Sequence, residues 1–111
     1  MSAPPGGHQR IDRRSLALHR AIAEKLRGNP ALLEIARDNL ARWSSRDNHS
    51  QPYFDEWRRI LEKPLPEILR VLEEDSERAA ALRQATPFAG VLAPKERWAI
   101  YAEFAPERLG V

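Results

Sequence analysis

A chain of 111 residues with 42% hydrophobic content, three Trp, two Tyr and three Phe supports one small globular domain around one core. With no cysteine, a disulfide framework and any thiolate metal or redox site are excluded, which fits a cytoplasmic protein. The net charge of +2, from 18 basic against 16 acidic side chains, is too even to define a nucleic-acid binder by itself. Its distribution is uneven. Residues 1–30 hold Arg10, Arg13, Arg14, Arg20, Lys25 and Arg27 against Asp12 and Glu24, whereas 64–93 are mildly acidic. No apolar run approaches the ~18 residues of a membrane span, and the opening residues lack the apolar stretch of a signal peptide.

Residues 1–12 carry Pro, Gly and no apolar period and are expected to form a disordered tail, with His8 solvated. The domain is expected over 13–111. Ser15 is the expected N-cap of a first helix that stops at Gly28. Leu18, Ile22, Ala23 and Leu26 fall on one face of it, with Leu16 at the margin and His19 on the apolar side. A histidine there is expected to be buried and bonded to a carbonyl; the sharper alternative is a pH-sensitive interface residue.

Asn29-Pro30 reads as a cap followed by a first-turn proline. Leu32, Leu33, Ala36, Leu40 and Trp43 then make an apolar stripe, with Ile35 off it. The polar stretch 44–51 predicts a loop, where His49 near Asp47 is expected to be solvated. Ser50 and Pro52 open a third helix. Tyr53, Phe54, Trp57, Ile60 and Leu61 share its inner face, and Asp55/Arg59 and Arg58/Glu62 are spaced as outer ion pairs. That aromatic stripe is expected to be core, with a base-stacking platform as the alternative.

Pro64-Leu65-Pro66 breaks the chain before a short helix that turns Ile68, Leu69, Val71 and Leu72 inward. Ser76 is the expected cap of an alanine-rich fifth helix. Over 82–94 the helical period stops. Phe88, Val91 and Leu92, fenced by Pro87 and Pro94, predict a loop tucked into the core, with Gly90 at its turn. A sixth helix starts at Pro94 and runs to about Ala105. On it Trp98, Ala102 and Ala105 point one way and Ile100 and Phe104 well round, with Tyr101 between them. This arc exceeds the ~100° stripe that one buried face needs. The surplus is either buried by the Phe88 loop or exposed, and part of Trp98, Ile100, Tyr101 and Phe104 is expected to form a partner or self-association interface. Trp98, beside the loop, is expected on the core side of that arc and Phe104 on its outer side.

Gly-rich phosphate loops, nucleophile elbows and metalloprotease helices do not occur in the sequence. No catalytic residue, cofactor or metal ligand is therefore expected. Arg10, Arg13, Arg14, Arg20 and Arg27 form the candidate phosphate-contacting set, although a solvated charged face is the favoured explanation of them.

Residues 15–23 (SLALHRAIA), and 82–92 (LRQATPFAGVL) followed by Glu96-Arg97-Trp98, together resemble small bacterial helical proteins that look like components of two-gene toxin–antitoxin modules. The resemblance covers most of 15–100. It implies a bacterial cytoplasmic protein whose partner is a toxin-like protein, with operator binding as an additional role. The resulting expectation is an all-α single domain of five or six helices acting as a non-enzymatic, antitoxin-like protein-binding module. The alternative is a DNA-binding regulator using the basic N-terminal region.

Overall fold

The computed structural model describes residues 7–44 and 51–104, with side chains over 13–43 and 51–104. The described residues form six α-helices and no strand: α1 (Gly7–Gly28), α2 (Leu33–Ser44), α3 (Gln51–Leu61), α4 (Leu65–Glu73), α5 (Glu77–Gln84) and α6 (Pro94–Glu103). The long α1 is central and packs against α4, α5 and α6, while α2 pairs with α3. None of the described helices is long and apolar enough to cross a membrane.

Local chemistry accounts for the starts of α5 and α6. The Ser76 hydroxyl accepts the Ala79 N–H at 3.1 Å and caps α5. Glu96 Oε1 accepts the Ala93 N–H at 2.6 Å at the start of α6. Two ends differ from expectation. Ser15 lies inside α1, where its carbonyl accepts from His19 rather than its hydroxyl capping a helix start. Asn29 makes no side-chain cap; its carbonyl instead accepts the Leu32 N–H at 3.0 Å and opens a 3-10 turn over Pro30–Leu32. The front of the expected tail, 1–6, lies outside the described residues, as do Ser50, His49 and the side chain of His8.

All the helices contribute to one apolar cluster, α6 only through half-buried Ile100 at its edge, and Trp57, Leu26, Ile68, Leu72 and Phe88 lie at its centre. The expected inward stripes belong to it apart from Tyr53, although Leu18, Leu32, Trp43 and Val71 are only half-buried at its edge. Ile35 packs against it too. Tyr53 is the exception on the α3 stripe, at 42% exposure. Neither expected outer ion pair of α3 forms: Asp55 pairs with Arg58 and Arg59 with Glu56.

Candidate functional site

The loop between α5 and α6 decides where α6 lies, and side chains from three helices pin it. Phe88 is 1% exposed and meets Trp57 edge-on at 5.5 Å, while Trp57 Nε1 donates to the Leu82 carbonyl at 2.8 Å. From α2, the buried Asn39 amide donates to the Pro87 and Ala89 carbonyls at 2.8 and 3.0 Å. From α1, Lys25 Nζ donates to the Val91 carbonyl at 3.0 Å and pairs with Glu96 at 2.6 Å. The Lys25 and Ala93 hydrogen bonds hold the Glu96 carboxyl below its usual range.

His19 ties the same loop to α1. Nδ1 donates to the Ser15 carbonyl at 2.7 Å, which leaves Nε2 to accept the Thr86 hydroxyl at 2.9 Å. Thr86 Oγ1 in turn accepts the Phe88 N–H at 3.2 Å. Burial lowers the His19 pKa to about 4, against the Ser15 hydrogen bond and with help from the buried Arg83 cation. The imidazole is therefore neutral near pH 7, as the polar link in a closed chain of hydrogen bonds.

With the loop fixed, α6 runs beside α1. A cavity of about 290 Å³ opens between them, walled by Leu18, Ile22, Phe88 and Leu92, with Arg97 and Tyr101 among its lining residues. Outside it, Trp98 is 68% exposed and packs edge-on against Tyr101 at 5.9 Å. The Arg14 guanidinium lies 4.9 Å from the centre of the Tyr101 ring, a cation–π contact.

The two candidate residue sets thus meet on one face, but not completely. Trp98, placed on the core side of the arc by its position beside the loop, is the most exposed large apolar residue of α6; Ile100 packs on the core, and Tyr101 and Phe104 are half-buried. Arg13 and Arg14 are exposed, Arg14 against Tyr101, while Arg20 is exposed further along α1. Arg27 is engaged by Glu24 and by Glu73 at 2.9 Å, beside a second cavity of about 510 Å³ lined by α4. The side chain of Arg10 lies outside the described residues.

Charge pairing sets this face apart. Arg27, Arg37, Arg58, Arg59, Arg70 and Arg78 each have a carboxylate partner. Arg13, Arg14, Arg20 and Arg97 pair with no carboxylate among the described residues; Arg97 reaches only the Leu92 carbonyl, at 3.5 Å. Sequence reading missed Arg97, Thr86 and Asn39. Arg97 and Thr86 are far from α1 in the chain and gave no local signal. Asn39 did give one, as an amide flanking the Ala36–Leu40–Trp43 stripe that needed a buried partner.

The described residues contain no group of three or more His, Cys, Asp or Glu arranged to hold a metal ion. No protein family, curated protein or solved structure matches the chain.

Proposed function

We propose that this chain is a non-enzymatic, cytoplasmic protein-binding module, antitoxin-like in role, that takes its partner protein on the face shared by α1 and α6. The observation that carries this reading is Trp98, two-thirds exposed yet held against Tyr101, whose ring is covered by Arg14. Preorganised Trp, Tyr and Arg side chains are the types that dominate interface energies. The test is to purify the protein encoded beside this chain in its host and titrate it calorimetrically against the wild type and Trp98→Ala. A loss of at least tenfold, about 1.4 kcal/mol, with unchanged thermal unfolding is expected. Equal binding by Trp98→Ala would overturn the assignment of this face.

The second reading is duplex DNA binding, favoured by Arg13, Arg14 and Arg20 of α1, which pair with no carboxylate among the described residues. Each phosphate contact releases counterions, so affinity for duplex DNA would fall steeply with salt and flatten in Arg13→Ala and Arg14→Ala. Affinity independent of salt, or no DNA binding, removes this reading.

A further inference from the structure

We infer that the cavity between α1 and α6 receives one apolar side chain carried on an acidic segment of the partner protein; this rests on the face proposed above and specifies what fills it. Its volume of about 290 Å³ sits at the small end of the ~300–1,000 Å³ common for ligand pockets and is ample for one side chain. Its walls are Leu18, Ile22, Phe88 and Leu92. Of the polar groups that also line it, His19 and Thr86 are engaged with each other and with Ser15 and Phe88, which leaves the Arg97 guanidinium and the Tyr101 hydroxyl as the lining groups outside that network. Against the four apolar walls a polar tip would lose its hydration and find His19 and Thr86 already engaged, so the tip seated there is apolar and the charges of its carrier fall to the arginines.

The surroundings supply the second requirement. Arg97 lines the cavity, and Arg14 lies over Tyr101, another of its lining residues. Neither has a carboxylate partner among the described residues, whereas the nearby Glu96 is already held by Lys25. Carboxylates flanking the inserted side chain would complete both guanidiniums, which match carboxylate geometry well. A nucleic acid could use the arginines and stack on Trp98, but its aliphatic group on a base edge, the thymine methyl, would leave most of the cavity empty.

The probe is a phage-displayed library of random dodecapeptides selected on the full-length chain, with enriched peptides synthesised and titrated by fluorescence anisotropy. Selection of one Leu, Ile, Met or Phe flanked by at least two Asp or Glu is expected. Leu18→Trp, which fills the cavity from its half-buried edge, should weaken that peptide at least tenfold. Arg14→Glu and Arg97→Glu should do the same without entering the core, which keeps the test decisive if Leu18→Trp fails to fold. Basic or uncharged consensus peptides, no enrichment, or affinities unchanged in the arginine variants would each overturn the inference. So would a concentration-dependent dimer in sedimentation that Arg97→Glu abolishes, because the occupant would then be a second copy. If Trp98→Ala abolishes partner binding while Leu18→Trp and both arginine variants bind normally, the face stands and the cavity assignment falls. If none of these variants affects partner binding, both fall.

Discussion

Replacing Phe88 by Ala tests whether the α5–α6 loop is part of the core or merely rests on it. The ring is 1% exposed, packs edge-on against Trp57 and belongs to the central cluster. Phe→Ala in a well-packed core costs about 3–5 kcal/mol through lost transfer energy plus the void that remains. Losing the aromatic pair adds to this, within about 0.5–1.5 kcal/mol. Phe88 also lines the cavity between α1 and α6, so part of the new void would be continuous with that space and could hydrate. That places the expected loss near the lower end, about 3 kcal/mol. For a domain of this size, 1 kcal/mol moves Tm by about 4–8 °C, so a drop of more than about 10 °C should appear in thermal unfolding followed by circular dichroism. Tyr53→Ala, at 42% exposure on α3, is the matched control and should cost much less. A Phe88→Ala loss below about 1 kcal/mol, or one no larger than that of Tyr53→Ala, would refute the idea that this loop organises the docking of α6.

Acidification should destabilise the fold through His19. Its folded pKa is about 4 and its unfolded pKa near 6.5, so the unfolded chain takes up a proton that the folded chain refuses. Stability is then lost as pH falls from about 6.5 to about 4, by about 3 kcal/mol, with no further His19 contribution below that window. An NMR titration giving a His19 pKa near 6 or above would contradict this, and His19→Gln should flatten the slope. Asn39→Ala should cost about 2 kcal/mol in urea unfolding, since it removes three hydrogen bonds, two to loop carbonyls and one from Arg42, and strands the buried Pro87 carbonyl; a change within 0.5 kcal/mol, about the noise of a surface substitution, would show that water replaces the amide. Gly90 has φ +97°, and a Cβ there would meet Ile35 Cγ2 at an ordinary 3.7 Å. Gly90→Ala should therefore cost only the conformational penalty, about 1–2 kcal/mol by the same assay, and a neutral result would mean that the loop relaxes to negative φ.

Helix content and the core were legible in the sequence because they depend on local period. The faces of α1, α3 and α4 follow from apolar spacing alone, and Ser76 and Gly28 act as the punctuation they resemble. The loop was legible for a different reason: Phe88, Val91 and Leu92 between two prolines have nowhere favourable to go but inward, and all three are buried. What was not legible is which side of a wide apolar arc a helix presents to its neighbour. On α6 the period allows Trp98 or Tyr101 to face α1. The choice is made by Lys25, Asn39 and His19, which fix the loop from residues far away in the chain. Once those contacts are set, Tyr101 turns toward the cavity under Arg14, Ile100 reaches the core and Trp98 is left outside. The arginines illustrate the same limit. In the sequence all five N-terminal arginines look equivalent, but Glu73 of α4 engages Arg27 and leaves Arg14 for Tyr101. A basic stretch and an aromatic stretch at opposite ends of the chain become one surface only because α1 is central and α6 is steered against it. For that reason, variants in the loop that shift α6 should weaken partner binding even though no loop side chain need touch the partner.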